Sequence, residues 1–103
     1  MSGNDLTCVY MANDGKILIN TDMDDWFEGT CKILKCPQLF KDPRFSDPSK
    51  RNAPSYDEDG KLTMKAGENF PALHAEIQSI VASHSRNDLE KNLSKADVPA
   101  MKM

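Results

Sequence analysis

Three cysteines and two histidines are the residues of this chain that are best suited to binding a soft metal ion. Cys31 and Cys36, with Cys8 and one histidine, would supply the ligands of a zinc site, in which thiolates reach one ion at ~2.3 Å. On a helix, however, the spacing directs Cys31 and Cys36 about 140° apart, and on a strand it places them on opposite faces. We therefore predict no metal site, and expect the cysteines to be small buried hydrophobic residues.

Acidic residues form two further patterns that resemble sites for hard metal ions. Residues 55–62 follow the first eight positions of an EF-hand loop, but Ala66 stands where that loop requires a bidentate glutamate. Asp22, Asp25 and Glu28 would lie together at the start of a predicted helix. Carboxylates at a helix N-terminus ordinarily complement the helix dipole without a metal ion. We predict an acidic turn and a dipole-stabilised helix start.

The two histidines form no catalytic arrangement in the sequence. His74 begins a His-x-Glu triplet, half of the signature of the zinc deaminases, but no cysteine pair follows to complete it. His84 falls near the end of a predicted helix, where an imidazole commonly bonds to free carbonyl groups. Phosphate-binding, nucleophile-elbow and dinucleotide-binding motifs are absent from the sequence. The sequence therefore predicts a protein that is not an enzyme and that holds no cofactor.

A long proline-rich loop is predicted at residues 37–59, where four of the six prolines fall. Each proline fixes its own φ and removes a backbone donor, so that no helix or central strand can cross the segment. Structureless segments longer than ~15 residues are usually functional or disordered. Basic and aromatic side chains alternate here, and those we assign to partner contact are Phe40, Arg44, Phe45, Lys50 and Arg51. This pattern is typical of loops that dock a protein or a single-stranded nucleic acid.

A β-hairpin is predicted around Asp14-Gly15, a dipeptide that favours a type I′ turn. With these two residues as the turn, Tyr10 pairs with Ile19. Side-chain alternation then forms a core face from Leu6, Cys8, Tyr10, Ala12, Ile17 and Ile19. The opposite face carries Val9, Met11 and Leu18. Unless something covers it, this second apolar face indicates an interface, for which a homodimer is the simplest form.

Two amphipathic helices and a third strand complete the predicted fold. The first helix covers about residues 24–35, although residues 30–36 are also compatible with a strand. A strand is expected near residues 61–65, then a helix over 71–84, a break near Ser85 and a short last helix. These elements predict an α+β fold: a small antiparallel sheet, made of the hairpin plus one or two further strands, packed by one or two helices.

Length and composition limit the remaining interpretation. The 103 residues suffice for one domain, which we place at residues 1–94, with a flexible tail at 95–103. The net charge of −3 provides no basic field for a duplex, and no apolar run is long enough to span a bilayer. The N-terminus lacks signal-peptide features and the cysteine count is odd, which together predict reduced thiols and a cytoplasmic location.

Together these features predict a small intracellular protein that acts by binding protein, as a homo-oligomer or as an accessory or regulatory subunit. The alternative is an accessory protein that binds single-stranded nucleic acid through the basic and aromatic residues 40–51. We predict no membrane partner.

Overall fold

A three-stranded antiparallel sheet lies at the centre of the fold in the computed structural model, which describes residues 9–103. Strand β1 covers Val9–Ala12, strand β2 covers Gly15–Ile19, and strand β5, near the end of the chain, covers Ala100–Lys102. Strand β2 lies in the middle and pairs with both of the others. The predicted core positions Leu6 and Cys8 lie outside the described residues. The predicted α+β class, with a small antiparallel sheet packed by helices, is confirmed.

The hairpin has the predicted faces but a different register. Tyr10 pairs with Ile17 rather than with Ile19, because the turn is formed by residues 13 and 14. A shift of two positions leaves every side chain on its predicted face. The sheet therefore buries Tyr10, Ala12, Ile17 and Ile19, each at most 4% exposed.

Contacts with a distant part of the chain explain where the turn falls. The backbone N–H of Asn13 donates to the carbonyl of His84 at 2.9 Å. The carboxylate of Asp14 accepts a bond of 2.9 Å from the backbone N–H of Arg86. Because a Cβ atom at Gly15 would lie 2.9 Å from Arg86 Cζ, the glycine also makes room for that side chain. Residues 84–86, which connect α4 to α5, thus select the register of the hairpin. The local preference of Asp-Gly for the turn positions predicts a different register.

Three longer helices pack around the sheet. Helix α1 covers Asp24–Ile33, which excludes the strand alternative for that segment. After two short helical turns described below, helix α4 covers Phe70–Val81 and helix α5 covers Arg86–Lys95. The predicted break near Ser85 is confirmed, since the Ser85 hydroxyl accepts a bond from the backbone N–H of Asp88 and caps α5.

The proline-rich segment is not the structureless loop that we predicted. It forms helix α2 at Pro37–Phe40, a 3₁₀ turn at Pro43–Phe45 and helix α3 at Pro48–Arg51. Each turn carries its proline in the first helical position, where the missing N–H costs nothing. Asp42 and Asp47 cap two of the turns by accepting the N–H of Arg44 and Ser49, respectively. A proline would interrupt a long helix, but each of these three prolines begins a short one.

The predicted third strand belongs to a separate two-stranded ribbon. Strand β3 covers Ser55–Tyr56 and pairs antiparallel with strand β4, which covers Leu62–Met64. Between them, one carboxylate oxygen of Asp57 accepts the backbone N–H groups of Asp59 and Lys61, both at 2.9 Å. The EF-hand-like pattern is therefore an acidic turn whose first carboxylate is occupied by the backbone.

The end of the chain differs from the expected flexible tail. Strand β5 pairs with β2, and Val98, just before it, is 2% exposed. A Cβ atom at Gly29 of α1 would lie 2.8 Å from Val98 Cγ2, so that glycine allows the chain end to approach the helix closely. The backbone groups of β2 that do not face β1 supply the hydrogen bonds that order residues 100–102.

Candidate functional site

The side chain of Arg51 joins the proline-rich segment to the start of α1. Its Nε and Nη2 donate to the carbonyls of Thr21 and Asp22, both at 3.3 Å. Its Nη1 donates to the carbonyl of Phe45 at 3.1 Å. Nη2 also lies 2.7 Å from Asp24 Oδ1 in an ion pair. Four partners from two segments, residues 21–24 and Phe45, thus hold one planar guanidinium group, a geometry that a lysine does not offer.

The surroundings of this guanidinium group are apolar on one side and open on the other. Arg51 is only 1% exposed, and its Cζ lies 4.7 Å from the centroid of the buried Phe27 ring, which makes a cation–π contact. The Asp24 side chain, by contrast, is 64% exposed. The positive charge is therefore balanced at the protein surface while the rest of the side chain lies in the core.

A small cleft of about 210 Å³ lies beside Arg51. Aromatic rings, the ion pair and one hydroxyl line it: Asp24, Phe27, Phe40, Phe45, Ser46 and Arg51. Its volume is below the ~300–1,000 Å³ that is usual for ligand pockets, so that it fits only a small group.

A larger cleft, which we call the ribbon cleft, lies between α3 and β4 and has a volume of about 450 Å³. Its lining combines apolar and polar side chains: Asp22, Pro48, Ser49, Asn52, Met64 and Lys65. Pro48 and Met64 provide an apolar wall, and Lys65 adds a positive charge. Its volume and its mixed lining are typical of a pocket for a small organic ligand.

The polar groups of the ribbon cleft are held in place by hydrogen bonds. The Asn52 amide nitrogen donates to the carbonyls of Ala53 and Lys65, which ties α3 to the ribbon. The Asp22 carboxylate accepts the N–H of Ala53 at 3.3 Å. The Ser49 hydroxyl donates to Asp47 at 2.8 Å, and this bond and the Ser49 N–H hold the pKa of Asp47 below its usual value. These bonds fix the relative positions of the polar groups that line the cleft.

The residues that the sequence assigned to partner contact in the proline-rich segment lie in two different environments. Phe45 and Arg51 are in the core, and Phe40 is half-buried with its ring 5.6 Å from that of Phe27. Arg44 and Lys50 are exposed, each with a side chain at least 51% accessible. Arg44 pairs with Asp42, which raises the pKa of Arg44 and lowers that of Asp42. The alternating aromatic and basic residues therefore separate into two sets. Phe40, Phe45 and Arg51 are partly or fully buried, whereas Arg44 and Lys50 are exposed.

The second face of the hairpin is only partly open. Met11 is 48% exposed, whereas Val9 and Leu18 are half-buried. Helix α4 covers the outer edge of β1: Gln78 accepts from the Met11 N–H at 2.7 Å and donates to the Met11 carbonyl at 2.9 Å. His74 Nε2 lies 2.8 Å from the carbonyl of Val9. The partner-contact role of all eight assigned residues, and with it the homodimer, stays a prediction.

Residues of the ribbon cleft were missed by the sequence interpretation. Asp22 was assigned to a helix start, Ser49 and Asn52 to the proline-rich loop and Lys65 to the third strand, and none of them to a site. The available signal was the repeated Asp-Pro step at residues 42–43 and 47–48, which is the sequence of a capped helix start with proline in the first turn. That signal places α3, but only the pairing of β3 with β4 brings Lys65 opposite it.

Among residues 9–103, no cluster of three or more histidine, cysteine, aspartate or glutamate side chains has the geometry of a metal site. In the same range, no helix combines the length and the apolar character that crossing a bilayer demands.

A solved structure with a similar fold is the crystal structure of Rv3272 from M. tuberculosis, orthorhombic form, with a TM-score of 0.73. The two sequences are 20% identical, and the match covers 93% of this chain and 23% of that chain. At this identity the likeness shows the fold alone, and the chain spans about a quarter of the length of the similar protein. Among curated proteins, no match is found.

Residues 2–103 match the family model of CoA-transferase family III. The prediction of a non-enzymatic protein that acts through protein–protein interaction, with nucleic-acid binding as its alternative, is therefore wrong. It failed because it relied on short catalytic motifs, whereas the family is recognised by a pattern that extends along the whole chain. With nearly every residue inside the match, the chain belongs to CoA-transferase family III.

Proposed function

We propose that the chain acts as one portion of an enzyme that transfers coenzyme A from a thioester to a carboxylic acid. The observation that carries this proposal is the family match along residues 2–103. Because the chain spans 23% of the similar solved protein, we propose that it works together with further protein that completes the reaction site.

The ribbon cleft is the part of this chain that we assign to substrate contact. The arm of a thioester substrate, either its acyl chain or its pantetheine unit, presents methylene groups beside polar carbonyl and amide groups, and the acceptor carries a carboxylate. The apolar wall of Pro48 and Met64 suits the arm, and the Lys65 ammonium group suits the carboxylate. The buried Arg51 supports the cleft by fixing the end of α3 against residues 21–24.

The experiment measures transfer and binding separately. The purified chain is incubated with an acyl-CoA and a panel of isotope-labelled carboxylic acids, and mass spectrometry follows the labelled thioesters. A labelled thioester formed without an equal release of free thiol supports transfer by this chain, whereas hydrolysis alone shows that the chain does not transfer coenzyme A by itself. In parallel, the ¹⁵N-labelled chain is titrated with the same acyl-CoA. Saturable shifts at Ser49, Asn52 and Lys65 support a substrate-contact role in a larger enzyme.

A pair of charge-matched variants tests the assignment to the ribbon cleft. Lys65→Gln should weaken acyl-CoA or carboxylate binding by roughly tenfold, the equivalent of one charge-assisted hydrogen bond. Lys61→Gln removes the same charge from the ribbon turn, outside the cleft, and should leave binding unchanged. If the wild-type chain shows no transfer and no saturable binding, the proposed function is contradicted. Equal losses in the two variants would contradict the assignment to the cleft.

A further inference from the structure

Helix α1 ends in a backbone motif that folds the chain back over its own last turn. Lys35 has a φ of +59°, in the left-handed region, and its N–H donates to the carbonyl of Lys32. The N–H of Cys36 donates to the carbonyl of Cys31 at 2.9 Å. These two bonds define a Schellman motif, in which the residue after the left-handed one packs on the residue five positions before it.

The other helix that ends in this way shows what such a contact normally contains. In α5, Asp97 also has a φ of +59°, and the N–H of Val98 donates to the carbonyl of Leu93. Leu93 and Val98 are both buried, and they occupy the two positions that usually make the apolar contact of the motif. In α1 the equivalent two positions are Cys31 and Cys36, each 1% exposed.

This geometry overturns the separation that the spacing predicted for the two cysteines. A continuous helix would direct the side chains about 140° apart, but the left-handed residue Lys35 reverses the chain before Cys36. The two residues consequently meet: the Cys36 N–H donates to the Cys31 carbonyl, and both side chains are buried. The neighbouring Cys36 thiol and burial raise the pKa of Cys31, and the Cys31 thiol lowers the pKa of Cys36.

We propose that Cys31 and Cys36 form a modification site at which a hydroperoxide produces a reversible intramolecular disulfide. The backbone bond between these two residues and the Schellman geometry bring Cys36 against Cys31 inside the core, and a disulfide requires Cα atoms within ~4.4–6.8 Å of each other. Both thiols are free in this structure. The proposal is independent of the proposed function, because it concerns the state of two sulfur atoms.

The reaction proceeds in two balanced steps. The Cys36 thiolate attacks one oxygen of the hydroperoxide, the O–O bond breaks, and the departing oxygen leaves as water or an alcohol after taking a proton. The Cys31 sulfur then attacks the resulting sulfenic acid, the S–O bond breaks, and water leaves with the Cys31 proton. The two sulfur atoms lose two electrons in total, which reduce the peroxide. A thiol reductant reverses the change by exchange.

Burial controls the rate of the first step. Because both thiols are 1% exposed, the peroxide reaches Cys36 only when the chain opens locally. The adjacent helix α2 has four residues and follows the chain reversal directly, which makes residues 34–40 the segment whose opening exposes the pair.

The test treats the folded chain with hydrogen peroxide and follows its thiols and its mass. Of the three cysteines, we expect two to lose their thiol titre with a loss of two hydrogen atoms and no added oxygen. Trypsin cleaves after Lys32 and Lys35, so the disulfide must appear as residues 17–32 linked to residues 36–41. Dithiothreitol should restore both thiols, and circular dichroism should show an unchanged fold throughout.

Single substitutions separate this pairing from other thiol chemistry. Cys8→Ser should form the same linked peptides, whereas Cys31→Ala, which keeps a small apolar side chain, should leave Cys36 unpaired. Three results would overturn the proposal: an unchanged mass after peroxide treatment, a disulfide that includes Cys8, or sulfinic acid at Cys36 without the linked peptides.

Discussion

The guanidinium carbon of Arg51 lies 4.7 Å from the centroid of the Phe27 ring, and both side chains are closed to solvent. Through this contact the end of the proline-rich segment is joined to the middle of α1. The same guanidinium group satisfies the carbonyls of Thr21, Asp22 and Phe45. One side chain therefore lines the small cleft and also bonds to Asp22, a residue that lines the ribbon cleft.

Replacement of Arg51 by alanine should destabilise the protein by about 3–5 kcal/mol, because it leaves three carbonyls and a cavity in the core. Urea unfolding monitored by circular dichroism measures the change. Lys50→Ala removes a neighbouring positive charge that is exposed, and should alter stability by less than about 0.5 kcal/mol. Asp24→Asn should cost less than about 1 kcal/mol, because its carboxylate is largely in solvent. Similar losses for Arg51 and Lys50 would contradict the central role of Arg51.

Gly67 should not tolerate a side chain. A Cβ atom there would collide with the backbone of Lys50 and would lie 2.6 Å from the Arg51 nitrogen, and backbone atoms cannot move aside. Gly67→Ala should therefore lower the free energy of unfolding by more than about 2 kcal/mol and open the ribbon cleft. At Gly60, nothing lies within 4 Å of the added atom, but φ is +80°. Gly60→Ala should cost only the conformational ~1–2 kcal/mol, and a larger loss there than at Gly67 would contradict this assignment.

Gln78 should protect the edge of the sheet. Its amide bonds to both backbone groups of Met11, so Gln78→Met leaves the Met11 N–H without that acceptor. We expect the Met11 amide to exchange with solvent about tenfold faster, the equivalent of one lost hydrogen bond. Ser79→Ala, on the exposed side of the same helix, should leave the exchange rate unchanged. Equal protection in wild type and Gln78→Met would show that the side chain does not shield the strand.

Acid should weaken the start of α3 through Asp47. The bonds from Ser49 lower the pKa of Asp47 in the folded state, so the ionised carboxylate stabilises the fold above its unfolded-state pKa. That contribution is lost as the pH falls through the lowered folded-state pKa. The wild type should therefore lose more thermal stability in acid than Asp47→Asn, which keeps an acceptor that does not titrate.

Ser49→Ala keeps the backbone N–H but removes the hydroxyl that contributes most to the lowered pKa of Asp47, so its acid-dependent loss should be smaller than that of the wild type. Parallel pH profiles for the wild type and Asp47→Asn, followed by the melting temperature, would contradict the role of the Asp47 charge.

Local patterns in the sequence predicted the elements that have a regular apolar period. Alternation identified Tyr10, Ala12, Ile17 and Ile19 as the buried face, and the helical period identified α1 and α4, because these periods follow from backbone geometry alone. The proline-rich segment was misjudged because proline interrupts a long helix but also begins a short one. Membership of an enzyme family was missed because no short catalytic motif lies within these 103 residues.

The sequence by itself determined which faces of the strands and helices are apolar, since this depends only on neighbouring residues. Only the tertiary structure decided the hairpin register, the pairing of β5, the burial of Arg51 and the contact between Cys31 and Cys36. The first three depend on partners that are distant in the chain, such as Arg86 for the turn and Thr21 for Arg51. The fourth depends on one left-handed residue, Lys35, which nothing in the local apolar pattern indicates. The first three contacts form only when separate segments meet, so the same local sequence is compatible with several outcomes until they do.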